Sequence, residues 1–169
     1  MKSIFSYFIY LLIPVLLITS HSNIVESKKT DKSRNEIIIY IPKINLKKNI
    51  YSFNDQKNDV NKNIFLAINY DFNTLKGSTI LAAHSGNSEV SYFDDLDKLG
   101  LNDEIIIETN NKIISYEVDK IYLINKTGKF NYQDYDKGVY LITCSKKYKK
   151  KQLVIYAKSR KIIKKSAFF

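Results

Sequence analysis

Residues 139–158, VYLITCSKKYKKKQLVIYAK, decide how the chain is read. Two runs rich in β-branched and aromatic residues, VYLIT and QLVIYA, flank a polar loop of lysines, the pattern of two strands joined by a turn. Cys144 closes the first run and is the only thiol in the 169 residues. Outward from this stretch the same texture recurs: EIIIYIP from residue 36, IFLAIN from 64, STILAAH from 78, DEIIIET from 103 and KIISYEVDKIYLI from 112. Seven or eight short strands in a body of about 130 residues predict an all-β domain, a barrel or a sandwich. Asn110 and Asn111 mark a tight hairpin between two of the runs, and Gly128 and Gly138 punctuate others. Only residues 90–99, VSYFDDLDKL, read as helical, with Phe93, Leu96 and Leu99 three apart on one face.

Composition narrows the class. Hydrophobic residues at 44% and aromatics at 13% are too rich for a disordered chain, and five Gly with two Pro exclude collagen-like sequence. One Cys forms no internal disulfide, and with two His it is too few for a four-ligand structural zinc site. The net charge of +10 is local: residues 1–144 hold 17 basic and 17 acidic side chains, so the whole excess lies in residues 145–169. A neutral body with a cationic end suits anionic lipid or wall polymer. Nucleic acid is set aside as a partner, because the N-terminus is apolar and no recognition helix is present.

Residues 4–18 are apolar apart from Ser6, Tyr7 and Tyr10, and Lys2 precedes them. The stretch to Ser20 spans roughly 25 Å as a helix, just under the roughly 30 Å of a bilayer core. Residues 1–20 therefore read as a signal anchor or transmembrane helix. The alternative is a cleaved signal peptide with Ser20 and Ser22 as its small residues, although no Ala-x-Ala pattern is present and Pro14 interrupts the run. Residues 21–35 are a polar tether, 36–163 the folded body and 164–169 a C-terminal tail.

Two residues in the body stand apart by chemistry. His84 ends STILAAH before the turn Ser85-Gly86-Asn87, and Cys144 ends VYLITC before the lysines. Strand ends project side chains from a rigid support into a groove. A thiol and an imidazole are the minimum for covalent acyl transfer: sulfur attacks a carbonyl and the imidazole protonates the leaving amine. Taken singly, such residues are equally a small buried hydrophobe and a turn histidine.

The order strand-His-turn, short helix, hairpin, strand-Thr-Cys, loop, strand resembles the sortases, in pattern nearest classes B, C and D. The resemblance rests on ILAAHSGN (residues 80–87), YFDDLDKLGLNDEIII (92–107), IYIPKINLKKNIY (39–51) and YLITC (140–144). Ala83 stands where the family more often has Gly before the His, Asn102 where Gly is usual, and Tyr140 in place of the first Thr of the Thr-Leu-x-Thr-Cys signature. The resemblance implies a closed eight-stranded β-barrel with one or two short helices behind the membrane-anchor helix. It further implies a single-pass protein of the cell membrane with its catalytic domain outside, on a Gram-positive-type surface. The implied activity is a cysteine transpeptidase that cleaves a C-terminal sorting signal, holds the protein as a thioacyl enzyme and passes it to an amine of peptidoglycan or of a pilin. Cys144 then carries over as nucleophile, His84 as general acid and base, and Thr143 as a substrate-binding residue. Neither a cofactor nor a metal is implied, and Asp94, Asp95 and Asp97 read as a solvated face.

The departure is at the third catalytic position. The family begins the strand after the Cys loop with an Arg, and aligning LVIYA puts Gln152 in that slot. The chain has only Arg34, in the tether, and Arg160. Eight residues of extended strand put Arg160 roughly 26 Å beyond Gln152. Gln152 can donate an amide hydrogen bond, and Lys150 or Lys151 can bring charge without the guanidinium's fork geometry. The run KKYKKK (146–151) is otherwise a solvated loop that could rest on wall polymer or lipid. Two readings follow: an active transpeptidase, or a weak or inactive sortase-fold surface protein that binds sorting signals or anionic wall polymer.

Overall fold

Alternation of apolar and polar residues builds the sheet. In a computed structural model, which describes residues 36–68, 77–130 and 138–165, eight strands form: β1 (Ile37–Ile41), β2 (Leu46–Ile50), β3 (Phe65–Ile68), β4 (Thr79–Ala82), β5 (Glu104–Glu108), β6 (Lys112–Asn125), β7 (Gly138–Cys144) and β8 (Lys151–Lys164). Their order in the sheet is β2-β1-β5-β6-β8-β7-β4-β3. The pair β4 and β7 is parallel and every other pair antiparallel. The apolar segment 4–18, the tether 21–35 and residues 166–169 lie outside the described residues, so the anchor helix does too. Among the described residues no helix is long and apolar enough to cross a membrane.

Every second residue points inward. Ile39 and Ile41, Leu46 and Ile50, Leu66, Leu81, Ile105 and Ile107, Ile114, Val139 and Leu141, Leu153 and Ile155 share one buried cluster. Strands from both ends of the sheet, β2 and β3, contribute to it, so the sheet curls on itself. The expected closed barrel is only nearly closed: among the described residues no ladder joins β2 to β3. The chain between these strands is spent on local turns instead. Asp55 and Asp59 carboxylates accept from the Lys57 and Asn61 amides at 2.8 and 2.9 Å, and Asn58 bonds both the amide and the carbonyl of Leu66.

β7 and residues 153–157 of β8 are buried on both faces, which is why these stretches read as continuous apolar runs. On the face turned from the main core, Ile80, Tyr140, Ile142, Val154 and Tyr156 make a second cluster. Its aromatic packing needs Gly138, because a Cβ there would lie 2.3 Å from the Tyr156 ring. Tyr140, the residue that departs from the signature, packs edge-on against Phe130 at 5.3 Å between ring centroids.

The helix expected over 90–99 is a shorter 3₁₀ helix, Asp94–Lys98. A spacing of three suits this tighter form, in which residues i and i+3 eclipse, and Phe93, Leu96 and Leu99 are all buried. A second 3₁₀ turn, Pro42–Ile44, leads through Asn45 at φ 49° into β2. Asn102, where the family has Gly, also adopts the left-handed region at φ 68°. Asn is the side chain that tolerates this region best after Gly.

Candidate active site

The parallel pairing of β4 with β7 aligns Thr79 with Val139 and, three steps on, Ala82 with Ile142. The Ala83 amide continues it by donating to the Ile142 carbonyl at 3.2 Å. Two residues beyond the Ala82–Ile142 pair on each chain stand His84 and Cys144. Alternation puts both on the face of the second cluster, since Ala82 and Ile142 belong to that cluster while Ala83 belongs to the main core. On the other side of β7, Cys144 is the direct antiparallel partner of Gln152, and Gln152 is in turn the partner of Ile124 on β6. Directly opposed residues share a face, so His84, Cys144, Gln152 and Ile124 form one row across four strands. His84, Cys144 and Gln152 are all half-buried.

Hydrogen bonds clamp the strand ends beneath this row. The Thr143 hydroxyl, buried at 3% exposure, donates to the Ala83 carbonyl at 2.8 Å, and the Ser85 hydroxyl donates to the Cys144 carbonyl at 2.7 Å. The Phe93 amide donates to the His84 carbonyl at 3.0 Å. Asp94 accepts from the Gly86 amide at 2.8 Å and, with Asp97, holds the Lys146 ammonium at 3.5 Å. Desolvation works to lower the Lys146 ammonium, but the Asp97 and Asp94 carboxylates outweigh it and hold it above the usual lysine value. The acidic face and the lysine loop are therefore not merely solvated: one lysine of the loop docks on two of the three aspartates, and Asp95 pairs with Lys98 at 2.9 Å. Among the described residues no group of three or more His, Cys, Asp or Glu converges as metal ligands.

The side chains of the row have separate partners. The His84 Nε2 atom lies 3.4 Å from Asn61 Oδ1, and the Lys126 ammonium donates to Cys144 Sγ at 3.4 Å. No hydrogen bond joins His84 to Cys144. A cavity of about 240 Å³ opens on the core side of Cys144, lined in part by Phe93, Leu123, Thr143, Tyr148 and Leu153. His84 and Gln152 lie outside this lining, on the other face. Lys151, next to Gln152, leaves the opposite face of β8, and Arg160 sits at a bulge in the β6–β8 ladder and pairs with Glu117.

A family model for the sortase domain matches residues 39–160. The chain belongs to the sortase family. Solved sortase structures share the fold. Sortase A of Listeria monocytogenes superposes with a TM-score of 0.64 at 20% identity, over 79% of this chain and 92% of that one. A Clostridium perfringens sortase D5 transpeptidase gives 0.61 at 25%, over 75% and 79%. Sortase C-1 of Actinomyces oris gives 0.60 at 20%, over 74% and 71%. No curated protein matches the chain. The structural likeness spreads over classes A, C and D, so it belongs to the sortase fold common to them.

Two groups of this sortase site escaped the sequence reading. Asn61 comes from the irregular segment between β2 and β3, and Lys126 from just beyond β6. Neither has a local signal. Lys126 reaches the row through the register of β6 on β8, and Asn61 through the turns that precede β3.

Proposed function

We propose that this sortase is a cysteine transpeptidase, anchored in the cell membrane by residues 1–20 with its catalytic domain outside. It cleaves the C-terminal sorting signal of surface proteins or pilins and transfers them to an amine of peptidoglycan or of a pilin. The observation that carries the reading is the row of His84, Cys144 and Gln152 on one face at the ends of β4, β7 and β8.

In this reading His84 takes the thiol proton, Cys144 Sγ attacks the scissile carbonyl carbon, and a C–S bond forms as the carbonyl electron pair moves to oxygen. The pair returns, the C–N bond breaks, and His84 gives the leaving nitrogen its proton. An incoming amine then attacks the thioester carbon and gives a proton to His84, the new C–N bond forms, and the C–S bond breaks with its electron pair returning to the Cys144 sulfur. Thr143 acts through its wall of the cavity and through its clamp on Ala83, and Gln152 offers an amide donor beside the sulfur. The second reading, a sortase-fold binder with little turnover, is favoured by one feature, the neutral Gln152 in the arginine slot.

The test is to incubate the detergent-solubilised full-length chain with a panel of sorting-signal peptides that carry threonine at the cleavage point. Intact-mass spectrometry should find an acyl adduct on Cys144. The adduct disappears in Cys144→Ala and forms far more slowly in His84→Ala with folding intact. Cleavage at the wild-type rate in Cys144→Ala would end the reading.

A further inference from the structure

We propose that Lys126 is a catalytic residue of this centre, the cation that receives the negative charge developing on the substrate carbonyl oxygen. The inference rests on the transpeptidase reading and adds to it a residue that neither the motifs nor the alignment of β8 points to.

Four observations carry it. The Lys126 ammonium lies 3.4 Å from Cys144 Sγ. Its position is set by the backbone: Asn125 pairs with Lys151, and the Lys126 amide then donates to the Lys150 carbonyl at 2.9 Å, extending the β6–β8 ladder by one step. Alternation from Ile124, which faces Gln152, sends the Lys126 side chain to the same face as Gln152 and Cys144. Four other cations of the loop and of β8 have other placements. Lys146 is held by Asp94 and Asp97, Lys147 lies over the Tyr148 ring at 5.4 Å, Lys151 leaves the opposite face, and Arg160 is tied to Glu117 far along β8.

The chemistry follows from that position. When Sγ bonds to the carbonyl carbon, the new oxyanion is one bond from the carbon and two from the sulfur. An ammonium already against the sulfur can reach it at the roughly 3 Å of an oxyanion donor. Lys126 keeps all its protons throughout; the electron pair returns from oxygen, the C–N bond breaks, and the leaving nitrogen takes its proton from His84. The charge-assisted donor thus enters from β6, whereas Gln152 on β8 supplies a neutral one.

The experiment has two arms on the full-length chain. The first needs no peptide: Cys144, the only thiol, is alkylated with anionic iodoacetate and with neutral iodoacetamide, and the ratio of the two rates is read. A cation beside the sulfur attracts the anionic reagent, so Lys126→Met should lower the ratio about three- to tenfold. Lys126→Arg, Lys150→Met and Lys151→Met should leave it near the wild-type value. An unchanged ratio in Lys126→Met, or an equal fall in Lys150→Met or Lys151→Met, overturns the assignment.

The second arm follows thioacyl formation with the same sorting-signal peptides. Lys126→Met should lose about a hundredfold in kcat with KM little changed, and Lys126→Arg should keep most of the rate. A wild-type adduct with an equally fast Lys126→Met overturns the role of Lys126 and leaves the transpeptidase reading standing. A wild type that forms no adduct overturns both, while the alkylation ratio still reports whether the charge lies at the sulfur. Lys126 is exposed, so the methionine variant should fold, and an unchanged Tm confirms that it has.

Discussion

Replacing Thr143 by valine keeps the shape of a buried side chain and deletes one hydroxyl, so it isolates the clamp between β7 and β4. That hydroxyl donates to the Ala83 carbonyl at 2.8 Å, one residue before Cys144 on one strand and one before His84 on the other. Losing the bond in a buried setting, with the carbonyl left one donor poorer, should cost about 1 to 2 kcal/mol. For a body of this size the Tm should fall by about 3 to 8 °C. Because the clamp sets the distance between the two reacting side chains, thioacyl formation should slow by about tenfold, mostly in kcat. Ser85→Ala removes the neighbouring bond to the Cys144 carbonyl, and the double variant should lose a different amount from the sum of the two. Calorimetry and adduct kinetics on the four proteins measure all of this. A Thr143→Val variant with wild-type Tm and wild-type rate would refute the clamp. A lowered Tm with a full rate would reduce it to a structural bond without influence on the site.

Gln152→Arg should restore thioacyl formation in a Lys126→Met background by about tenfold or more, because residue 152 faces Cys144 directly and a guanidinium is a charge-assisted donor. No gain in that background would mean that residue 152 does not reach the reacting atoms. Gly138→Ala puts a Cβ 2.3 Å from the Tyr156 ring and 2.9 Å from the Ala157 carbonyl, and should cost about 1 to 3 kcal/mol or more in urea unfolding. An unchanged midpoint would refute the close approach. Burial pushes the Tyr116 phenol well above the ordinary tyrosine value. The unfolded chain then loses its proton before the folded one does, so stability from this group is full below about pH 10 and falls by about 1.4 kcal/mol per pH unit above it. Urea midpoints from pH 9 to 11 should fall less steeply in Tyr116→Phe, and equal slopes would count against the buried phenol.

How much was legible in the sequence follows a physical line. Seven of the eight strands show as β-branched runs, because a strand half-buried or fully buried writes its burial into residue types two apart, whereas β2, LKKNI, carries no such run and entered only through the resemblance over residues 39–51. Phe93, Leu96 and Leu99 showed a helical face, but i,i+3 spacing does not distinguish one turn of α-helix from the 3₁₀ turn that forms. Closure was beyond reach, since nothing local to β2 or β3 says whether their edges meet.

By itself the sequence determined the all-β class and singled out the lone thiol, Cys144, and the one histidine of the body, His84, because each is a property of residue type and short-range pattern, and the resemblance to the family marked the departure at Gln152. Only the tertiary structure decided which cation meets the sulfur. Lys146 is turned to Asp94 and Asp97, Lys147 to the Tyr148 ring and Lys151 to the opposite face of β8, whereas Lys126, 18 residues away, touches the sulfur. The reason is register. A side chain's face is fixed by strand parity and its depth by ladder pairing, and both are set by hydrogen bonds between β6, β8 and β7 that no stretch of sequence contains.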